Sequence, residues 1–96
     1  MLTRIVKMTF RPDTVADFLA IFEEVKEKIR SVEGCTQMDL YRQIDKPEVL
    51  FTISVWTGEQ ALEAYRQSAL FTTTWSRVKP LFAAPAQAWS LQLAQS

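Results

Sequence analysis

The side chains able to do chemistry are few, and they cluster. The chain has no histidine and a single cysteine, Cys35, so acid–base or anion-binding work falls to tyrosine, arginine, lysine and the carboxylates. The run 51–82, FTISVWTGEQALEAYRQSALFTTTWSRVKPLF, carries Trp56, Tyr65, Arg66, Phe71 and Trp75. Tryptophan and phenylalanine offer large rigid faces on which a flat molecule can stack. Tyr65 can bind a substrate oxygen or act as an acid, and Arg66 can stabilise an anionic oxygen. Tyr65 and Arg66 are therefore the candidate catalytic pair. Trp56, Trp75, Phe71, Lys7 and Arg42 are the candidate substrate-binding residues.

Each of these also has a plainer role open to it. Trp56 can be a core aromatic at a strand end, and Trp75 lies on an apolar helical stripe with Phe71 and Val78. Arg66 can face water or pair with a carboxylate, and Arg42 can form a salt bridge at the rim of an interface. Arg4 and Lys7 lie on opposite faces of one strand, so at most one can point into a given cavity. Cys35, at a turn-to-strand junction with no neighbouring base, reads as structural. Zinc, copper or haem iron would lack their usual ligands, and no Asp/Glu cluster stands at ligand spacing, although Asp39 and Asp45 flank a strand end. Chemistry without metal or cofactor, or no chemistry, is the expectation.

The elements that must position these residues follow from periodicity. Residues 2–10 alternate, with Leu2, Val6, Met8 and Phe10 on one side, and Pro12 stops the strand. A helix starts at Asp13 or Thr14, with Thr14 and Asp17 spaced as a capping box, and presents Val15, Phe18, Leu19, Phe22, Val25 and Ile29 on one stripe. Gly34 supplies the left-handed turn after it. Residues 35–44 and 48–56 form two strands joined through a DKPE turn. Thr57 and Gln60 pair as a T-x-x-Q box opening a helix that carries Ala61, Leu62 and Tyr65 inward. Ser68 caps a second segment, Pro80 ends or kinks it, and residues 86–94 form a last strand with Trp89, Leu91 and Leu93 on one face. The order is β-α-β-β-α-β with the second helix split. The expected fold is α+β and ferredoxin-like: a four-stranded antiparallel sheet with helices on one face, in a single domain over residues 1–96.

Composition sets the remaining bounds. A 96-residue chain that is 48% hydrophobic and 11% aromatic carries more large apolar side chains than a monomer of its size can hide. The sheet face away from the helices needs a cover, and a second copy of the chain is the expected one. Eleven basic and eleven acidic residues, interleaved to zero net charge, exclude the basic footprint of a nucleic-acid binder. No window approaches the roughly 18 uninterrupted apolar residues of a membrane span, and MLTRIVKMTF reads as a strand and not a signal peptide. A cytoplasmic location is the expectation.

With the elements in place, the chain resembles the antibiotic biosynthesis monooxygenase family of dimeric α/β barrels. The resemblance covers nearly the whole chain and is carried by two pieces in order. One is 32 VEGC 35, between the long helix and the second strand. The other is 55 VWTGEQALEAYRQSALF 71, a strand, tryptophan, capped helix and Ser-x-x-Phe break. It implies a homodimer, a pocket in each subunit between sheet and helices, and oxygenation of small aromatic or quinol-like molecules without metal or flavin. The chain departs from relatives that place a histidine near Tyr65. It departs from the haem-degrading branch too: Trp75 stands at that branch's iron-ligating histidine, and the first strand offers Arg4, Ile5 and Val6 and no asparagine. Haem degradation is therefore the remotest option, behind a non-catalytic ligand-binding or accessory protein of the same fold.

Overall fold

In the computed structural model, which describes residues Met1–Ser96, one antiparallel sheet backs onto three helices. The elements are β1 (Leu2–Phe10), α1 (Val15–Arg30), β2 (Cys35–Gln43), β3 (Lys46–Trp56), α2 (Glu59–Arg66), α3 (Ala69–Val78) and β4 (Phe82–Leu91). Two 3-10 turns, Pro12–Thr14 and Lys79–Leu81, lead into α1 and β4. The sheet order β2-β3-β1-β4 makes β2–β3 a hairpin at one edge and sets β4 beside β1. This is the ferredoxin-like α+β arrangement that the alternation of apolar residues implies.

Strand parity sorts the side chains. On β1 the even positions face the helices: Met8 and Phe10 pack with Phe18 of α1 and Val78 of α3, and Leu2 packs with Trp56 and Leu62. Val25, Ile29 and Met38 close a third cluster between α1 and β2. The odd positions face away. Ile5 is registered between Ile53 and Trp89, Thr3 between Val55 and Leu91, and Phe51 between Lys7 and Tyr41. None of these enters the core clusters, and Tyr41, Trp89 and Leu91 are each about half exposed, at 50%, 44% and 49%. Burial from the helix layer alone leaves this face bare.

Local capping and turn signals hold at some element ends and give way to tertiary contacts at others. Ser68 caps α3 as its position suggests, accepting from the Phe71 N–H at 3.1 Å, and Pro80 confines the chain to a single 3-10 turn after Val78. Thr14 occupies the N-cap position of α1 without a side-chain capping bond, and Thr57 is not the cap of α2. The Thr14 hydroxyl donates to the Leu81 carbonyl at 2.8 Å, with the Arg11 carbonyl at 3.0 Å as the alternative acceptor, tying the start of α1 to the lead-in of β4. The Thr57 N–H donates to the Gly34 carbonyl at 2.9 Å, and Gly58 takes the N-cap position of α2. The last strand is Phe82–Leu91, not 86–94. It begins early because Phe82 pairs with Phe10, and register shifts around Thr9 accommodate Pro85, which has no N–H for a regular ladder. Leu93 lies beyond its end, 77% exposed. No helix is long and apolar enough to cross a membrane.

Candidate functional site

The helix-facing side of β3 presents Thr52, Ser54 and Trp56 by alternation. Trp56 is 1% exposed, and its indole N–H donates to Ser54 Oγ at 2.9 Å, so its polar edge is satisfied inside the core. Its ring stacks on Tyr65 of α2 with centroids 5.1 Å apart. The break at Ser68 turns the chain so that α3 comes back alongside. Tyr65 then meets the edge of Phe71 at 5.3 Å, and Phe71 stacks on Trp75 at 5.8 Å, within 10° of parallel. These four aromatics line one cavity of about 310 Å³ between the sheet and the helices. That is the size of a site for a small flat molecule of two or three fused rings.

The polar lining is sparse and specific: Arg4, Thr52, Ser54, Arg66 and Thr74, with the Tyr65 hydroxyl. No carboxylate lines the cavity. Burial, with a smaller contribution from Cys35, pushes the Tyr65 phenol up to about 12. At neutral pH Tyr65 is therefore a hydrogen-bond donor and not a base. Its carbonyl accepts from Ser68 Oγ at 2.6 Å, while its hydroxyl makes no hydrogen bond to protein and is not sealed from solvent. Arg66, at the exposed end of α2, reaches Glu63 at 3.4 Å. Cys35 is half-buried against the Trp56 cluster, and burial pushes its thiol pKa up, which disfavours the thiolate. No three His, Cys, Asp or Glu side chains converge as metal ligands, Asp39 and Asp45 included.

Of the residues singled out by sequence, the cavity gathers Trp56, Tyr65, Arg66, Phe71 and Trp75. Lys7 does not line it, because its odd position on β1 turns it to the bare sheet face beside Phe51 and Gln87. Arg42 does not line it either: it is exposed near the β2–β3 turn, past the end of the cavity. Arg4 takes the place in the lining that Lys7 was expected to hold. The signal was present in the parity of β1, where Arg4 is a lone cation among Leu2, Val6 and Met8.

Residues 1–76 match the family model described as antibiotic biosynthesis monooxygenase. The chain belongs to that family. A crystal structure of an antibiotic biosynthesis monooxygenase superposes with a TM-score of 0.93 at 20% identity, covering 99% of this chain and 100% of that one. Rv0793 from Mycobacterium tuberculosis gives 0.90 at 22% identity, covering 99% and 96%. SnoaB, a cofactor-independent oxygenase from Streptomyces nogalater, gives 0.86 at 19% identity, covering 99% and 94%. Identities this low speak for the fold. No curated protein matches the sequence. In this member of the family, the aromatic-walled cavity between sheet and helices is the candidate site.

Proposed function

We propose that the protein is a homodimeric, cofactor-independent monooxygenase acting on a small aromatic or quinol-like molecule. The observation that carries this reading is the cavity: aromatic walls, a free phenol donor, two guanidinium groups and no carboxylate. SnoaB, of the same fold, is a cofactor-independent oxygenase, which supports it. The chemistry asks little of the protein. An acidic phenol, or its keto tautomer, loses a proton to water. The resulting anion gives one electron to oxygen, and the radical pair collapses to a carbon–oxygen bond. The peroxide then takes up a proton and loses water, leaving a carbonyl where a CH2 stood. One oxygen atom enters the product and the other leaves as water, so the substrate supplies every electron. Stacking on Trp56 and Trp75 would hold the ring. Tyr65 would donate to the ionised oxygen inside the cavity, and the Arg66 charge at the mouth would add to its stabilisation.

Oxygen uptake with a panel of anthrone-like phenols and quinols tests this. The wild type is expected to exceed the spontaneous rate. Tyr65→Phe, which removes a donor without a protein partner, is expected to lose about a hundredfold in kcat while melting as the wild type does. No uptake above background across the panel would favour the other reading, a binding or accessory protein of the same fold. That reading draws on one observation: the cavity contains neither histidine nor carboxylate to take the substrate's proton.

The dimer part of the proposal rests on the bare sheet face, where Ile5, Phe51, Ile53, Val55, Trp89 and Leu91 form an apolar surface. Sedimentation at micromolar concentration is expected to give about twice the 11.0 kDa chain mass. Ile53→Glu should shift the protein to monomer, since a charge would sit at the centre of that face. A wild-type monomer would remove this part of the proposal.

A further inference from the structure

We infer that the mouth of the cavity, between Arg4 and Arg66, binds a carboxylate carried by the aromatic substrate, whose rings lie inside against Trp56 and Trp75. The inference rests on reading this cavity as the substrate site. It adds the charge class of the substrate and assigns a role to Arg4.

The geometry supports it in three ways. First, Arg4 from β1 and Arg66 from α2 line both the apolar cavity and the wider polar opening beside it, so they stand where the two meet. A ligand with an apolar body and one anionic end fits that boundary. Second, Arg4 is half-buried yet has no carboxylate within 4.0 Å: its one side-chain hydrogen bond goes to Ser90 Oγ at 2.9 Å, and none of the six ion pairs includes it. A partly desolvated guanidinium without a counter-charge is costly unless a ligand supplies one. Third, burial foremost and the facing Arg66 charge next lower the Arg4 pKa, with Glu63 opposing them. Two like charges held at one mouth repel each other, and an anion between them relieves the repulsion.

The acidic groups nearby set the kind of anion. Glu59 and Glu63 line the outer opening and do not line the cavity. Glu63 engages Arg66 at 3.4 Å through one oxygen and Gln67 at 3.0 Å through the other. An exposed ion pair within one helix is weak and exchanges readily with a better acceptor. A dianion such as a phosphate would meet repulsion from both glutamates. A carboxylate carries one charge and matches the guanidinium fork.

The test is a titration at low salt, followed by quenching of tryptophan fluorescence, of naphthoate against the isosteric neutral naphthamide. Naphthoate is expected to bind about tenfold more tightly. Arg4→Met should abolish most of that preference by weakening naphthoate far more than naphthamide, and Arg4→Lys should restore part of it. Glu63→Gln, which frees Arg66, should tighten naphthoate and not naphthamide. Thermal melts of each variant establish that it is folded. Should Arg4→Met not fold, Arg4→Lys and Glu63→Gln carry the comparison. Equal affinity for acid and amide overturns the carboxylate site and leaves the aromatic cavity standing. Binding of neither overturns both. A carboxylate preference without oxygen uptake sustains this inference while removing the oxygenase reading.

Discussion

Gly34→Ala is expected to lower the unfolding free energy by about 3 kcal/mol or more, because it combines a left-handed backbone with an overpacked contact. Gly58→Ala, the only other glycine substitution available, is expected to stay within about 1 kcal/mol of wild type. Gly34 sits at φ +88°, in the turn that carries α1 into β2. A Cβ added there would lie 2.3 Å from the Ala61 Cβ and 3.0 Å from Thr57 Oγ1. The first distance is impossible without moving α2, since Ala61 lies in the first turn of that helix. Gly58 is extended at φ 174°, which any residue adopts, and an added Cβ meets nothing within 4 Å. Urea denaturation of the two variants side by side gives the comparison. Equal stabilities would mean that the turn and α2 do not touch. A domain of this size holds only about 5–15 kcal/mol in total, so the Gly34 variant would be conspicuously fragile. The contact matters for the site as well, because the helix pressed onto Gly34 carries Tyr65 and Arg66.

How much of this was legible in the sequence depends on which force decides each feature. Long-range burial writes a period. The stripe Val15, Phe18, Leu19, Phe22, Val25 and Ile29 therefore gave α1, and the alternation through 35–56 gave the hairpin. The aromatic group of Trp56, Tyr65, Phe71 and Trp75 was legible because it sits on those same inward positions. Features decided by one tertiary contact left no such trace. Thr57 with Gln60 has the spacing of a capping box, yet the Thr57 N–H is taken by the Gly34 carbonyl, 23 residues earlier in sequence. The segment FAAPA has little strand propensity and contains Pro85, so its pairing with β1 through shifted register was not visible. Between Arg4 and Lys7 parity allowed only one in the cavity. Ile5 obscured which face was the inner one by making both partly apolar. Lys7 belongs to the bare face for the same reason that Ile5 does.

The second large effect is expected at Trp56, and it separates core from wall. Trp56→Ala removes a fully buried indole that packs on Leu2 and Leu62 and stacks on Tyr65, a loss of about 3–5 kcal/mol. Trp56→Phe keeps a ring and loses the bond to Ser54, which is itself only 7% exposed; the orphaned hydroxyl should cost about 1–3 kcal/mol. Those are the consequences of a core residue, read from denaturation. A cavity wall has a further one. At a temperature where each variant is folded, Trp56→Ala should bind naphthamide at least about tenfold more weakly, since both the part of the indole that lines the cavity and the support it gives Tyr65 are gone. Trp56→Phe should retain most of the affinity. Tyr65 gives the internal control: without the indole beside it, the phenol loses part of the burial that raises its pKa, so its ionisation should fall from about 12 toward the ordinary value of about 10. Unchanged ligand affinity in folded Trp56→Ala would make this tryptophan a core residue alone. A loss of affinity together with stability means that one side chain both closes the hydrophobic core and forms the surface on which the substrate rests, because in a domain of 96 residues the two share the same wall.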